Sequence, residues 1–348
     1  MSDAMKPFIK AVGTGPRSNR HLSRDEAREA LSLILSGEAT PGQAAAYFIG
    51  SRIQGEDPEE LLGYIDAIRA GARTLAPKVD NLVDLGTPYD GRRDALYVTV
   101  AASLVAAAAG TPQLLHGSGS MPPKRGVPLS AVLEALKIPT RLPRQAVEAQ
   151  IERLGFAYID ARDAAPEVYA LAELREEIGL RTLLSTVEKL YDLGSAPHHI
   201  IGVTHAPYIE RFIGAMQGMG WARSLLVQGI EGSEDIGTSH GTRIIVVTPT
   251  STEEIQVRAA DLGLQIAGVE ELSVGDDPGR HAEVIRAVLE RNGDPAIRDV
   301  VLLNAALRIW TATNDPLLPQ SLDHARQTLE SGAPLETLAA LRASSPPG

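Results

Sequence analysis

Residues 114–136, LLHGSGSMPPKRGVPLSAVLEAL, decide the fold of this chain. An apolar run ends at His116, a turn rich in glycine and serine follows with Lys124 inside it, and an amphipathic helix begins just after. Glycines let backbone N–H groups approach a phosphate, and the next helix offers the positive end of its dipole. The layout predicts an anion cradle between a strand and a helix, although glycines that serve only the turn would give the same pattern.

The spacing around the lysine excludes the phosphate loop of the common ATPases. That loop needs a glycine directly before the lysine and a hydroxyl residue directly after it. Here Pro123 precedes Lys124 and Arg125 follows it. A generic ATPase is therefore not expected.

A second unit of the same kind lies upstream. Residues 81–91 read NLVDLGTPYDG, an apolar run that ends in Gly86-Thr87 and is followed by a turn at Asp90-Gly91. Residues 95–110 continue as a helix of small residues, ALYVTVAASLVAAAAG. Two strand, loop and helix units in tandem predict a parallel sheet with both loops at its carboxyl edge, where ligands of open α/β folds bind.

The first 75 residues carry the signals of three short helices. Each has a capping residue followed three positions later by Glu or Gln, in the pairs Ser23 and Glu26, Thr40 and Gln43, Asp57 and Glu60. Pro41 and Pro58 stand at first-turn positions, and Gly37 and Gly55 close the first two helices. Apolar residues recur at helical spacing, which predicts a helical bundle.

After residue 77 the pattern changes to alternating strands and helices. The predicted strands are residues 82–85, 113–116, 157–159, 199–203, 224–227 and 242–248. The predicted helices are residues 95–109, 130–136, 146–154, 207–219, 280–291 and 299–313. Residues 167–193 interrupt the alternation with helix-like sequence only.

Taken together, these motifs resemble the anthranilate phosphoribosyltransferase family, whose two loops typically read GTGGDG and KHGNR. The matching residues are 86–91, 106–110, 116–117, 132–136, 173–182, 229–236, 304–306 and 331–332, so the resemblance spans nearly the whole chain. It implies an α/β fold of the nucleoside phosphorylase and phosphoribosyltransferase type, with a small helical N-terminal domain and a large α/β domain around a mostly parallel sheet.

The resemblance also implies how the chain is divided. Residues 1–77 would form the small domain, and helices from about 175–195 would return to it. Residues 78–174 and 196–348 would form the large domain, with hinges near residues 77, 175 and 195. In the family the helical domain mediates a homodimer.

The reaction that the resemblance implies is transfer of a phosphoribosyl group from phosphoribosyl pyrophosphate, with Mg²⁺. The phosphate and ribose would be held by Gly86, Thr87, Asp90, Gly91, Thr99, His116, Gly117, Ser118, Gly119 and Lys124. The acceptor would be held by Arg175, His116 and Lys189. Glu234 and Asp235 stand in place of the metal-binding acidic pair, in reversed order. From the residues alone, an acidic surface turn, a surface arginine and a structural histidine remain alternatives.

Several positions depart from the family pattern. Pro88 and Tyr89 replace glycines of the first loop, while Leu115 and Gly119 replace the lysine and arginine of the second. A neutral loop binds a diphosphate less well than one that carries Lys and Arg. We therefore expect a phosphoribosyltransferase-like enzyme that acts on phosphoribosyl pyrophosphate with an unidentified acceptor, and not an efficient anthranilate phosphoribosyltransferase. Residues 203–211 and 229–232 look like a paralogous branch, some members of which are linked to nucleic-acid binding. The alternative is therefore a non-catalytic paralogue that acts as a homodimeric nucleic-acid-binding protein.

Composition limits the partners and the compartment. The net charge of −11 opposes non-specific nucleic-acid binding. A basic zone remains the candidate contact for nucleic acid, consisting of Lys6, Lys10, Arg17, Arg20, Lys124 and Arg125, although the N-terminal part could be only a flexible arm. The chain has no cysteine, and its longest apolar run, residues 98–109, is too short to span a bilayer. We expect a cytoplasmic protein without membrane contact.

Overall fold

The computed structural model describes residues 3–204, 208–313 and 318–344. After a short 3₁₀ turn, the N-terminal part consists of α1 (Lys6–Gly13), α2 (Arg24–Leu35), α3 (Pro41–Gln54) and α4 (Pro58–Gly71). The three predicted capping boxes are confirmed, since Ser23, Thr40 and Asp57 cap α2, α3 and α4 and are answered by a glutamate or glutamine side chain.

Helix α1 was not predicted, because no side chain caps its N-terminus. It buries Phe8, Ala11 and Val12 and packs against α3, so this part of the chain is not a flexible arm. Helix α2 packs against α4 at close range. Gly63 permits that approach, because a Cβ there would lie 2.2 Å from the carbonyl oxygen of Arg24.

The large part is built on one seven-stranded sheet. In chain order its strands are β1 (Val83–Gly86), β2 (Gln113–Gly117), β3 (Phe156–Asp160), β4 (His198–Gly202), β5 (Arg223–Val227), β6 (Thr242–Val247) and β7 (Thr252–Val257). Their order in the sheet is β3-β2-β1-β4-β5-β6-β7, parallel up to β5 and antiparallel from there. The predicted fold class, with its mostly parallel sheet, is confirmed.

All six predicted strands are present, with ends shifted by at most one residue. Strand β7 was missed because its sequence, TEEIQV, carries two glutamates and is largely exposed at the sheet edge. An exposed edge strand needs no apolar face, so periodicity does not reveal it.

The remaining helices follow in chain order. They are α5 (Val98–Ala108), α6 (Leu129–Ala135), α7 (Arg144–Leu154), α8 (Ala161–Ala164), α9 (Pro166–Tyr169), α10 (Ala172–Ile178), α11 (Leu183–Val187), α12 (Ile209–Met219), α13 (Val269–Leu272), α14 (Pro278–Leu289), α15 (Pro295–Ala312), α16 (Leu318–Ser331) and α17 (Ala333–Ala343). Helix α5 begins three residues later than predicted, because residues 92 and 95 form β-bridges instead. The predicted start of α12, at residue 207, lies outside the described residues.

The sheet is buried on both faces. Leu85 of β1 and Leu115 of β2 face a core that includes α5 and α15. Leu114 and Ile201 face a second core that continues into the helical bundle. Helix α11 contacts α3 and α4. The domain boundaries and hinges stay a prediction.

The strand order reverses between β1 and β4. The chain proceeds from β1 to β2 and β3 in one direction, and from β4 to β5 in the other. The crevice outside the carboxyl ends of two such strands is where open α/β sheets bind ligands. No helix within the described ranges is long and apolar enough to cross a membrane.

Candidate functional site

A cleft of about 650 Å³ opens at the carboxyl end of β4, between helix α3 and the α/β part. Glycine at the end of β4 is required for this arrangement. A Cβ at Gly202 would lie 1.8 Å from the carbonyl oxygen of Ser233, so the loop after β5 can close over the strand end only at a glycine.

The lining of the cleft is rich in cations. Five basic side chains contribute to it, namely Arg52, Arg93, Lys124, Arg181 and Lys189, against the carboxylates of Glu56 and Glu231. A smaller recess of about 50 Å³ shares part of this lining and adds Asp90 and Glu188. The concentration of positive charge in a concave site favours an anionic ligand.

Lys189 lies deepest among the cations of the cleft. Its Nζ donates to the carbonyl oxygens of Gly202 at 2.7 Å and Gly232 at 2.8 Å. Burial and, second, the nearby charge of Arg181 lower the pKa of Lys189 to about 8. The positive charge that this residue offers to a ligand therefore declines above pH 8.

The neighbouring cations are tied to the two glycine loops. Arg181 pairs with Asp90 of the first loop, with Nε 2.8 Å from Oδ2. Lys124 of the second loop donates to the carbonyl oxygen of Gly91 at 2.7 Å and to Glu231 at 2.5 Å. The two glycine loops thus lie together at the carboxyl edge of the sheet, as predicted, and the loop after β5 contacts them there.

The acidic residues Glu234 and Asp235 lie side by side but in different surroundings. Glu234 Oε1 lies 3.2 Å from Thr87 Oγ1 and 2.6 Å from Thr99 Oγ1, and Thr99 Oγ1 lies equally close to Asp235 Oδ2, at 2.6 Å. Glu234 Oε2 is buried and has no hydrogen-bond partner among the described residues. In the described part of the chain, it is the one carboxylate oxygen of the pair that a cation could still contact.

Two buried arginines donate hydrogen bonds to the carboxylate of Asp235. Arg92 lies 2.7 Å from Oδ2, and Arg308 lies 2.8 Å from Oδ1. Burial alone would raise the pKa of Asp235, but the charges of Arg92 and Arg308 outweigh it and lower the pKa. Both carboxylate oxygens of Asp235 already contact an arginine, and its negative charge is already compensated. Of the two acidic residues, only Glu234 is therefore suited to bind a divalent cation.

Arg175 is also paired within the chain. Its Nη1 lies 2.9 Å from Glu188 Oε2, and its Nη2 lies 3.2 Å from Ser185 Oγ. Burial lowers the pKa of Arg175, but the charge of Glu188 outweighs burial and the net effect is a raised pKa. Burial also raises the pKa of Glu188. The contact at 2.9 Å between two buried groups favours the ionised pair. The guanidinium is therefore occupied and does not line the cleft.

His116 lies in the core instead of the cleft. Burial raises the pKa of Tyr89 well above its ordinary value, so the phenol stays protonated and donates to His116 Nδ1 at 2.7 Å. The proton on Nε2 is then donated to Asp84 Oδ1 at 2.9 Å. This chain of contacts fixes Tyr89 and with it the first loop.

The other predicted residues are divided between the cleft and its surroundings. Lys124 and Lys189 line the main cleft, and Asp90 lines the recess. The residues that lie behind the lining, on strands, loops or the first turn of α5, are Gly86, Thr87, Gly91, Thr99, Gly117, Ser118 and Gly119. Ser118 Oγ donates to the carbonyl oxygen of Gly119 at 3.0 Å.

Sequence reasoning missed several residues of the site. Arg93 and Arg181 line the cleft, and Arg92 and Arg308 close Asp235. The signal for the first two was available, because Arg93 stands two residues after Gly91 of the first loop and Arg181 ends the ELREEIGLR stretch. Arg308 follows the apolar stretch VVLLNAAL of α15, where a buried charge indicates a partner elsewhere in the chain.

Comparisons with known proteins agree with this architecture. Residues 6–72 match the helical bundle domain of the glycosyl transferase family, and residues 79–335 match the a/b domain of that family. The chain is 32% identical to an anthranilate phosphoribosyltransferase of Natronomonas pharaonis over 98% of its own length and 100% of that protein. It is 32% identical to the enzyme of Rubrobacter xylanophilus, over 91% of this chain and 92% of that one.

Solved structures give the same result. The crystal structure of anthranilate phosphoribosyltransferase from Thermus thermophilus matches with a TM-score of 0.85 and 26% identity over 99% of both chains. The Saccharomyces cerevisiae enzyme in complex with PRPP and Mg shares the fold, with a TM-score of 0.85 at 15% identity over 99% of this chain and 98% of that one. The chain therefore belongs to the anthranilate phosphoribosyltransferase family and is a glycosyl transferase of the phosphoribosyltransferase kind.

Proposed function

We propose that the chain transfers the phosphoribosyl group of phosphoribosyl pyrophosphate to an acceptor in the cleft. The observation that carries the proposal is the set of five cationic side chains at the switch point of the sheet. In this reaction the bond from ribose C1 to the diphosphate breaks and a bond from C1 to the acceptor forms. Positive charge develops on the ribose and negative charge on the departing diphosphate, so a catalyst needs fixed cations beside the diphosphate.

Three of these cations are available to a ligand. Within the described residues, Arg52, Arg93 and Lys189 have no carboxylate within ion-pair distance. A ligand with a diphosphate and a 5′-phosphate complements them, because its phosphate oxygens accept charge-assisted hydrogen bonds from Lys and Arg. Lys189, at the bottom of the cleft, would hold the most deeply bound phosphate.

A magnesium ion, if bound, would be held by Glu234 through Oε2 and by oxygens of the ligand. It would neutralise charge on the diphosphate. Asp235 contributes indirectly, because it holds Arg92 and Arg308 in place beneath Thr99.

The pairing of Arg175 bears on the choice of acceptor. An acceptor carboxylate at Arg175 would need that guanidinium free for bidentate binding, but it is already paired with Glu188. Lys189, the other predicted acceptor residue besides His116, donates to two carbonyl oxygens, and we assign its remaining N–H to a phosphate instead of the acceptor. We propose that the acceptor is a molecule without a carboxylate at this position.

Phosphoribosyl pyrophosphate with magnesium should raise the melting temperature. A ligand at a hundred times its dissociation constant stabilises the folded protein by about 2.7 kcal/mol. Thermal unfolding should be followed with the ligand and magnesium together, with each alone, and with the Glu234→Gln variant. The expected result is a shift that needs the ligand, that magnesium enlarges in the original chain, and that magnesium leaves unchanged in the variant. No shift at millimolar ligand with magnesium would rule out the proposed substrate.

Anthranilate should be a poor acceptor. We expect its turnover to lie well below the ordinary range of roughly 1 to 1,000 per second, because Arg175 is not free to hold the carboxylate. Steady-state release of diphosphate, with and without anthranilate, measures this directly. Turnover within that range would show that the acceptor is anthranilate after all.

The alternative of nucleic-acid binding gains no support from the geometry. Within the predicted basic zone, Lys6 pairs with Asp3, Arg20 with Glu26, and Arg125 with Glu176. Lys124 pairs with Glu231. With these charges neutralised, nucleic-acid binding stays a prediction, and salt-resistant micromolar binding of DNA would be needed to sustain it.

We also propose the homodimer through the helical bundle. Ile53 on α3 is 79% exposed, which is unusual for so large an apolar side chain on a bundle helix. Sedimentation of the chain and of an Ile53→Glu variant tests the proposal, and a monomeric original chain would refute it.

A further inference from the structure

The carboxylate of Glu231 occupies a concave set of hydrogen-bond donors. It accepts from three consecutive backbone N–H groups, those of Arg93 at 2.9 Å, Asp94 at 3.1 Å and Ala95 at 3.0 Å. Lys124 Nζ is a fourth donor at 2.5 Å. Successive backbone N–H groups that converge with a lysine form a site of the kind that binds phosphate. Here a side chain of the protein itself fills that site.

The donors are held in place without Glu231. Ser273 Oγ and Gly275 N donate to the side chain of Asp94 at 2.6 and 3.1 Å, and Val274 N donates to its carbonyl oxygen at 2.9 Å. Arg92, which directly precedes the first donor, exchanges two backbone hydrogen bonds with Val127, of 3.1 and 2.7 Å. The set of donors would therefore keep its shape if the carboxylate moved out.

Glu231 itself is placed to move. Its backbone has φ 51° and ψ 24°, a left-handed conformation that stores strain in a residue other than glycine. Its side chain is 24% exposed and lines the cleft together with Arg93 and Lys124. Movement toward the cleft would place the carboxylate in solvent and leave the donors open to a ligand.

The carboxylate is a fixed charge across the physiological range. Burial raises the pKa of Glu231, but the hydrogen bonds from Lys124 and from the N–H groups of Arg93, Ala95 and Asp94 outweigh burial and lower the pKa to about 2. An incoming anion therefore competes with a permanently charged group.

We propose that Glu231 is an internal anion that occupies a phosphate site, and that a phosphate or diphosphate group of a ligand displaces it. The exchange conserves the hydrogen bonds, because the ligand oxygens take over the three N–H groups and Lys124. It favours a multiply charged diphosphate over singly charged anions, since only the former exceeds the charge of the carboxylate that it replaces. The inference rests on the proposed function in one respect only, namely that the displacing group belongs to phosphoribosyl pyrophosphate.

Calorimetry with inorganic diphosphate, at low ionic strength and without metal, tests the proposal. Glu231→Ala should bind diphosphate at least tenfold more tightly than the original chain, and Glu231→Gln should fall between them. Adding Lys124→Met to Glu231→Ala should abolish most of the gain. The matched control is Glu176→Gln, which removes the same charge from an ion pair with Arg125 outside the cleft and should change the affinity less than twofold.

Two results would overturn the proposal. One is equal or weaker diphosphate binding by Glu231→Ala with an unchanged circular dichroism spectrum; where that variant does not fold, Glu231→Gln decides by the same criterion. The other is an equal gain in Glu176→Gln, which would assign the effect to net charge. A tenfold gain without any phosphoribosyl transfer would refute the proposed function and leave this inference standing.

Discussion

Replacing Asp235 by Asn should lower the free energy of unfolding by about 3–5 kcal/mol, since breaking a buried ion pair leaves an uncompensated charge inside the protein. Asp235 faces two arginines, Arg92 and Arg308, whose side chains are 1% and 0% exposed. Asparagine keeps the shape of the side chain but removes the only charge that both guanidinium groups contact. Urea denaturation followed by circular dichroism measures the change.

The pH dependence has a definite sign. The folded-state pKa of Asp235 lies below its ordinary value of 3.8, so the carboxylate stabilises the fold above that value and loses its contribution as the pH falls through the folded value. The difference in stability between the original chain and Asp235→Asn should therefore be full at pH 7 and shrink in acid.

Asp163→Asn is the matched control. Asp163 pairs with Arg141 at 2.5 Å, but the two side chains are 40% and 51% exposed. An exposed pair of this kind contributes about 0–1 kcal/mol. If Asp235→Asn costs no more than Asp163→Asn, the pair with Arg92 and Arg308 does not stabilise the fold, and the assignment of a metal to Glu234 alone loses its basis.

The fold could be read from the sequence where local signals were complete. The capping boxes gave α2, α3 and α4, and apolar runs bounded by turn residues gave six strands. Helix α1 and strand β7 lacked those signals, since one has no side-chain cap and the other has an exposed, charged face. Both depend on contacts with distant parts of the chain, which periodicity does not report.

The site could be read only in part, because sequence shows charges but not their partners. Lys124, Lys189, Glu234 and Asp235 were singled out from the motifs, and the structure brings them to one end of the sheet. The partner that decides the role of Asp235 stands 143 residues away at Arg92. The amino-acid sequence does not distinguish an acidic pair that forms ion pairs with buried arginines from one that binds a metal.

The second large effect is expected at Glu188. Arg175 and Glu188 are 2% and 1% exposed, and Glu188→Gln would leave a buried guanidinium without its carboxylate. The expected loss is about 3–5 kcal/mol, and the double variant Arg175→Met, Glu188→Gln should recover most of it, because the charge and its partner are then removed together. Urea denaturation of the two single variants and the double variant completes the cycle.

A carboxylate supplied from solution should repair the same defect. Glu188→Ala opens space beside Arg175, and acetate is small enough to pair with the guanidinium there. Acetate should then raise the melting temperature of Glu188→Ala and leave the original chain and Glu176→Gln unchanged, because binding to the folded state alone stabilises it. If acetate does not stabilise Glu188→Ala while the double variant is as unstable as the single ones, Glu188 is not the carboxylate that occupies Arg175. The argument against a carboxylate acceptor would then fail with it, since it depends on that guanidinium being filled.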